Sequence, residues 1–300
     1  MSWKTLGPLL GVIIFLPLVN LLVGIFPPTV KTLDDPAHYG LPYEDVSFTT
    51  SDGLTLRGWF IPAAVDGPTG KKATILVGHG YPFDKANILR HGRFLHTTFH
   101  LLFFDFRYFG DSDGAYTTAG LLETRDVEAA VAYVKQREDV DPSRIGALGF
   151  SMSAAAFIVC RSTDIRAIVA DSAYASLEKL IARQFFFLPG PLKWPFVALS
   201  KLWAHLLLGL DIQQAAPMDA VRTLQTPLLL IHGDADSQIP AHHTKEIAAN
   251  ADPSLTELWI VPGADHGFAH AQEGTRYEAR VMQFFLQHLP DEAPRAAITP

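Results

Sequence analysis

Short apolar runs alternate with helical patterns along most of this chain. The strand-like runs are KKATILVGHG, HLLFFDFR, RIGALGF, IRAIVADS, TPLLLIHGD and TELWIVPG. Strands that alternate with helices of about 10–15 residues predict a parallel sheet with helices on both faces. Before them, apolar positions alternate around Ser51, Asp52 and Gly53, which predicts a β-hairpin. We therefore predict an α/β fold with a mostly parallel central sheet.

The N-terminal segment has the composition of a membrane anchor. Residues 6–26 contain no charged side chain. As a helix this segment would span roughly 31 Å, about the thickness of a bilayer's hydrocarbon core. Pro17 would kink the helix, and Pro27 and Pro28 would end it. We expect a transmembrane helix over residues 6–26, within an anchor of residues 1–30.

A cleaved signal peptide is the alternative interpretation of this segment. The run exceeds the usual signal-peptide core of about 7–15 residues. The first alanine of the chain is Ala37, so no Ala-x-Ala cleavage site follows the run. Lys4 and the terminal amine favour a cytoplasmic N-terminus, but Lys31 opposes it. A single-pass protein with its main domain outside the cytoplasm is therefore only marginally favoured.

Charge and cysteine content exclude some classes of protein. The net charge is −7, whereas nucleic-acid binding requires a basic face, so we expect no nucleic-acid partner. Cys160 is the only cysteine, so the chain cannot form an internal disulfide. Its position in an apolar helical pattern is typical of a small buried side chain.

Residues 172–225 form an insertion that interrupts the strand–helix alternation. Residues 179–210 contain four basic side chains and no acidic one. Prolines at positions 189, 191 and 195 argue against one long helix, so we expect short helices and no second membrane span. Exposed aromatics would suit a membrane interface, and the alternative is a cap whose aromatics pack on the main domain. These aromatics are Phe185, Phe186, Phe187, Trp194 and Trp203.

The segment GFSMS, residues 149–153, joins a predicted strand to a predicted helix. A serine on such a strained turn can expose its oxygen as a nucleophile. Ser153 stands where glycine is usual in this turn, and a serine that only caps the helix fits the motif equally well. Ser151 is the candidate nucleophile. The candidate oxyanion donors are the N–H of Met152, next in the chain, and that of Tyr81 in GHGYP after an earlier strand.

Two later strand ends supply a candidate acid and a candidate base. Among three carboxylates that follow strands, Asp236 is favoured because it lies farther out in its loop, with Asp171 and then Asp234 as alternatives. His266 follows the last strand and can face Ser151. The H-x-x-x-H spacing of His266 and His270 lacks a third ligand, so we expect no metal and no cofactor.

In these residues the chain resembles the α/β-hydrolase superfamily, and it is most similar to the membrane-anchored serine hydrolases of the Bem46-like group. The matching segments, within roughly residues 46–289, are GHGYP, DFRYFGDSDG, GFSMS, HGDADSQIP and DHG. The order Ser151, Asp236, His266 is that of the superfamily's triad. The family pattern H-G-x-x-D-x-x-[IV]-P also implies Asp236 as the acid. Tyr108 and Ser153 depart from the family pattern, since glycine is usual at both positions.

The resemblance implies an α/β-hydrolase fold and hydrolysis through an acyl-enzyme on Ser151. Serine at the elbow argues against the family's dehalogenase and epoxide-hydrolase branches, which use aspartate, and against its dienelactone-hydrolase branch, which uses cysteine. Esters or thioesters of acyl chains or lipids near a membrane are the expected substrates. A serine aminopeptidase or peptidase is the first alternative, and a catalytically silent scaffold that binds lipid or a partner is the second. The expected hydrolase domain covers residues 40–290, and residues 291–300 are expected to form a flexible tail.

Overall fold

The computed structural model describes residues 3–65 and 70–291. Within them, eight strands form one sheet in the order β1-β2-β4-β3-β5-β6-β7-β8. The predicted tail lies outside the described residues except for Asp291. The strands are β1 (Glu44–Thr49), β2 (Thr55–Ile61), β3 (Lys72–Gly78), β4 (His100–Phe104), β5 (Val140–Phe150), β6 (Ile165–Asp171), β7 (Leu228–Gly233) and β8 (Thr256–Val261).

The first two strands form the expected hairpin. They pair antiparallel with Val46 opposite Gly58, and the N–H of Thr50 donates to the carbonyl of Leu54 across the turn. Strand β2 also pairs antiparallel with β4, whereas all pairs from β4 to β8 are parallel. The sheet is therefore mostly parallel, as predicted.

Helices cover both faces of the sheet and bury two separate cores. On one face, Val127 and Phe157 pack on the sheet from α3 and α4. On the other, Leu89 and Phe285 do so from α2 and α10. This arrangement confirms the predicted architecture. The helices outside residues 172–225 are α1 (Trp3–Ile25), α2 (Lys85–Gly92), α3 (Glu123–Lys135), α4 (Met152–Cys160), α8 (His242–Asn250), α9 (Ala269–Glu273) and α10 (Thr275–His288), and the insertion adds α5 (Leu177–Gln184), α6 (Gly190–Leu208) and α7 (Pro217–Ala220).

The insertion differs from its prediction in two respects. Helix α6 is a single helix of 19 residues. Pro191 lies in its first turn, where its missing N–H would be unpaired anyway, and the helix continues through Pro195 although this proline cannot donate a helical hydrogen bond. Phe185 is fully buried against Phe196 rather than exposed, and Trp203 is half-buried. Phe186, Phe187 and Trp194 are exposed as expected.

The expectation of a transmembrane helix over residues 6–26 is not supported. Among the described residues, no helix combines the length and the apolar character needed to cross a bilayer. Instead, one face of α1 is covered by the cap formed by α5 and α6. Ile13 and Leu16 pack on the cluster around Phe185, and Nε1 of Trp203 donates to the carbonyl of Ile14 at 3.1 Å.

Candidate active site

The nucleophile elbow lies at the end of β5, at the edge of the sheet where the parallel strands terminate. Ser151 has φ 54° and ψ −108°, a strained conformation for a residue with a side chain. Its N–H donates to the carbonyl of Asp171 at 2.8 Å. A Cβ on Gly149 would lie 2.6 Å from the backbone nitrogen of Ala154, so only glycine permits this approach of strand and helix.

Ser153 explains how the chain does without the second glycine of the elbow. Its Oγ lies 2.7 Å from the carbonyl oxygen of Gly78 and accepts from the N–H of Phe150 at 2.8 Å. The hydroxyl therefore connects the end of β3 to the elbow. Gly78 provides the space, since a Cβ there would lie 2.6 Å from the Cβ of Ser153.

The structure brings Ser151, His266 and Asp236 together in one chain of hydrogen bonds. Nε2 of His266 lies 3.1 Å from Oγ of Ser151, and Nδ1 lies 2.7 Å from Oδ2 of Asp236. Because Nδ1 faces a carboxylate, it carries the imidazole proton, and Nε2 is left free to accept the proton of Ser151.

The carboxylate of Asp236 is held from several sides. Its Oδ1 accepts from the N–H groups of Gln238 and Ile239 at 2.9 and 2.7 Å. Burial alone would raise the pKa of Asp236, but hydrogen bonds from His232, His266 and the Ile239 N–H lower this pKa well below its usual range. Asp236 is therefore ionised at neutral pH.

His232 is a contributor to the site that the sequence interpretation missed. It is fully buried, and its Nε2 lies 2.7 Å from the carbonyl of Ile239 and 3.1 Å from Oδ2 of Asp236. Since both neighbours are acceptors, Nε2 carries the proton. The available signal was its position in HGDAD, directly before the turn that carries Asp236.

The two alternative carboxylates make other contacts. Asp171 is buried and accepts from Oγ of Ser172 at 2.8 Å and from the hydroxyl of Tyr277 at 3.0 Å. Burial raises its pKa, and these two hydrogen bonds only partly oppose that rise. Asp234 is exposed and accepts from the N–H of Gly263 at 2.6 Å. Asp236 is thus the carboxylate that contacts His266.

The two expected oxyanion donors lie at the same cavity as the triad. Tyr81, Met152, Ser151 and His266 all line it. In the described part of the chain, the N–H groups of Tyr81 and Met152 have no acceptor, so both are available to a ligand.

Residues 112–292 match the prolyl oligopeptidase family, Peptidase_S9. The protein designated "Uncharacterized protein YfhR" from Escherichia coli K12 is 32% identical over 255 residues, which cover 82% of this chain and 81% of that protein. The chain belongs to the prolyl oligopeptidase family. It is therefore a hydrolase with the α/β-hydrolase fold.

Other similar proteins of this superfamily agree with that assignment. The "Alpha/beta hydrolase domain-containing protein WAV2" of Arabidopsis thaliana is 25% identical over 288 residues, 93% of this chain and 88% of that protein. The solved Pyrococcus furiosus esterase Pf2001 superposes with a TM-score of 0.70 at 28% identity, covering 88% of this chain and 98% of the esterase chain. The narrower similarity to the Bem46-like group stays a prediction.

The cavity in this hydrolase is large and mainly apolar. Its volume is about 780 Å³, within the range of sites that enclose small-molecule ligands. Besides Tyr81, Ser151, Met152 and His266, its walls come from α1, residues 118–121, the cap and the loop after β7. The leucine and isoleucine residues of the lining are Leu21, Ile25, Leu121, Leu177, Leu180, Ile181, Leu208, Leu210, Ile212 and Ile239.

Tyr108, the other departure from the family pattern, connects its loop to the end of α1. Its φ is 74°, in the left-handed region where glycine is usual. Its hydroxyl donates to the carbonyl of Pro27 at 2.8 Å. The tyrosine therefore adds a contact to the N-terminal segment that glycine could not make.

His270 is engaged elsewhere. Its Nε2 lies 3.1 Å from Oε1 of Glu278. Residues 3–65 and 70–291 contain no group of three or more His, Cys, Asp or Glu side chains arranged to hold a metal ion.

Proposed function

We propose that this protein is a serine hydrolase that cleaves ester or thioester bonds through an acyl-enzyme on Ser151. The observation that carries the proposal is the hydrogen-bonded chain of Ser151, His266 and Asp236 at the base of an apolar cavity. The roles of these residues follow from their chemistry.

In the acylation step, Oγ of Ser151 attacks the substrate carbonyl carbon while its proton passes to Nε2 of His266. Asp236 stabilises the resulting imidazolium through Nδ1. The N–H groups of Tyr81 and Met152 bind the negative oxygen of the tetrahedral intermediate. As the intermediate collapses, His266 gives its proton to the departing alcohol or thiol.

In the deacylation step, a water molecule attacks the acyl-enzyme and gives a proton to His266. The second tetrahedral intermediate releases the carboxylic acid, and the proton returns to Oγ of Ser151. The sequence of steps consumes one water and needs no metal or cofactor.

The lining of the cavity favours an ester with an apolar acyl chain. Burying apolar substrate surface contributes roughly 0.8 kcal/mol per CH₂ group. Long acyl chains should therefore bind better than short ones. The likeness to the Pf2001 esterase supports an ester as the scissile bond.

A peptidase is the second candidate because of the matched family. An aminopeptidase requires a carboxylate to bind the substrate's free amine. No Asp or Glu side chain lines the described cavity, and the cation Arg183 does. This charge pattern favours the ester hydrolase.

We also propose that the enzyme acts on substrates at a lipid surface, which it contacts with one face of α1 and the adjoining part of α6. That face of α1 carries exposed apolar side chains at helical spacing: Val12, Phe15, Val19, Leu22, Val23 and Phe26. Leu192, Trp194, Leu202, Leu206 and Leu207 on α6 are exposed as well. We call these two sets the outer apolar face.

Charge supports a membrane with anionic lipids as the partner of this face. Residues 179–210 carry four basic side chains and no acidic one. Of these four, Lys179 pairs with Glu246 and Lys201 with Glu178. Lys193, next to Trp194 on the outer apolar face, forms no ion pair with a described residue. The placement of the domain outside the cytoplasm stays a prediction.

The decisive experiment combines covalent labelling with a series of substrates. A fluorophosphonate probe should label the wild-type protein but not Ser151→Ala. The full chain should hydrolyse p-nitrophenyl esters with kcat/KM rising from C4 to C12, and it should not hydrolyse aminoacyl-p-nitroanilides. Absence of labelling in folded wild-type protein would instead support a silent scaffold, and preference for the anilides would support the peptidase.

A further inference from the structure

Helix α1 forms part of the wall of the substrate cavity. Asn20, Leu21, Gly24 and Ile25 line the same cavity as Ser151. Because residues three or four apart are neighbours on a helix surface, these four residues share one face of the helix. A segment whose composition suggested only a membrane anchor is therefore positioned to contact substrate.

Asn20 is unusual within this helix. It is the only residue between positions 6 and 26 whose side chain can form hydrogen bonds. The opposite face of α1 is exposed, so an amide there would be hydrated at no cost, yet Val19 and Val23 occupy it. The one polar side chain is instead on the face that lines the cavity, where it is half-buried.

Most other polar side chains in the cavity wall are already engaged. Thr118 donates to Glu123, Tyr174 to the carbonyl of Ala119 and Ser200 to that of Phe196. Arg183 donates to the carbonyl of Ser237. The side chains of Gln184 and Gln238 are exposed.

Within the described part of the chain, the amide of Asn20 has no hydrogen-bond partner. Only the hydroxyl of Tyr81, in the expected oxyanion loop, shares with it the combination of half-burial in the cavity wall and no partner. A ligand that fills the cavity and displaces its water must supply a partner for the amide of Asn20 or leave it unpaired, which would be unfavourable.

We propose that Asn20 is a specificity-determining residue that forms a hydrogen bond with a hydroxyl or carbonyl group on an otherwise apolar ester substrate. The proposal rests on the proposed function in taking this cavity as the substrate site. A carboxamide offers both a donor and an acceptor, so it suits either group. The group belongs to the acyl chain, as in a hydroxy-fatty ester, or to the alcohol, as in a partial glycerol ester.

The test measures ligand binding by calorimetry in the Ser151→Ala background, where no ester is consumed. The ligands are dodecanoic acid, hydroxydodecanoic acids with the hydroxyl at different carbons, and monododecanoylglycerol. Asn20→Leu removes the amide at similar volume. Gln283→Leu, which removes an exposed amide on α10 away from the cavity, is the matched control.

We expect Asn20→Leu to lower the affinity for at least one oxygenated ligand by about tenfold, which corresponds to the loss of one hydrogen bond. Binding of dodecanoic acid should stay the same or improve, and Gln283→Leu should change the binding of neither kind of ligand. Weaker binding of a hydroxy acid would assign the contact to the acyl chain. Weaker binding of the glycerol ester would assign it to the alcohol.

Equal effects of Asn20→Leu on plain and oxygenated ligands would overturn the proposal, as would the absence of any effect. Because binding is measured without turnover, this result is independent of catalysis. The absence of labelling and ester hydrolysis in the wild-type protein would refute the proposed function but leave the binding comparison valid.

Discussion

His232 and His266 both contact Oδ2 of Asp236, with Nε2 of His232 at 3.1 Å and Nδ1 of His266 at 2.7 Å. The backbone N–H groups of Gln238 and Ile239 bind the other oxygen. The carboxylate that orients His266 is itself oriented by a second, fully buried histidine. His232 is thus a positioning residue for the acid.

Replacing His232 should lower kcat more than it changes KM. His232→Phe removes the hydrogen bond to Asp236 and lets the carboxylate shift, and a misplacement of about 1 Å can cost roughly a hundredfold in rate. His232→Gln keeps a donor and should restore part of the rate. Steady-state kinetics and the rate of fluorophosphonate labelling measure the effect. A His232→Phe variant with wild-type kcat would refute the positioning role.

The identity of the acid is tested by two matched substitutions. Asp236→Asn should lower kcat by about 10⁴-fold because the amide favours the wrong tautomer of His266. Asp171→Asn keeps one of the two acceptor oxygens, and Asp171 does not contact His266, so this variant should lower kcat less than about tenfold. If Asp171→Asn proved the more damaging change, Asp236 would not be the acid.

Ser153 should contribute to stability as well as to the shape of the elbow. Ser153→Ala leaves the buried N–H of Phe150 and the carbonyl of Gly78 without this partner. We expect a loss of roughly 1–3 kcal/mol in the free energy of unfolding, measured with urea. Ser153→Gly, which restores the usual family residue, should lose at least as much. An unchanged midpoint of urea unfolding in both variants would contradict this role of Ser153.

His91 should make the protein less stable in mild acid. Its Nε2 lies 3.3 Å from the carbonyl of Gly267, next to His266, and its buried Nδ1 has no partner in the described part of the chain. Burial lowers the pKa of His91 to about 4, and the nearby His270 and Arg90 act in the same direction. Between pH 6.5 and 4 the unfolded chain therefore binds more protons than the folded one, so stability falls as pH falls.

Between pH 7 and pH 5, we expect His91 to lower the free energy of unfolding by roughly 2 kcal/mol. Urea unfolding at the two pH values measures it. His91→Gln keeps a donor toward Gly267 but does not titrate, so it should lose correspondingly less stability. This comparison separates His91 from His243, whose pKa burial also lowers to about 4. The same loss in wild type and variant would assign the acid sensitivity to other groups.

The outer apolar face should bind lipid vesicles. Phe15→Ser combined with Trp194→Ser exposes less apolar surface and should reduce co-sedimentation with vesicles that contain anionic phosphatidylglycerol. Lys193→Gln should matter only for anionic vesicles and more at low salt. Leu258→Ser, an exposed site on the edge strand β8, is the control. Equal binding by the control and the double variant would argue against this surface.

Local patterns in the sequence predicted much of the fold and of the candidate site. The alternation of apolar runs and helical patterns predicted the parallel sheet, because buried parallel strands must be apolar on both faces. Since the carboxyl ends of such strands share one edge, the residues after β5, β7 and β8 were expected to meet there. Ser151, Asp236 and His266 do lie together at that edge.

Local sequence patterns did not predict the contacts between segments that are distant in the chain. The sequence ranks Asp236 above Asp171 by its position farther out in its loop and by the family pattern, but it does not show what either carboxylate contacts. Only the packing of Tyr277 from the last helix onto Asp171 shows that this carboxylate has other partners. The contact of His232 with Asp236 likewise depends on the path of the turn after β7.

The sequence by itself determined that the N-terminal segment is an apolar helix, that the sheet is mostly parallel, and that a serine stands on a turn between strand and helix. Only the tertiary structure decided what covers the apolar helix. Burying apolar surface away from water is favourable whether the covering surface is lipid or protein, so apolar composition alone does not distinguish the two. One face of α1 is accordingly covered by the cap, and that face brings Asn20 to the cavity that contains Ser151.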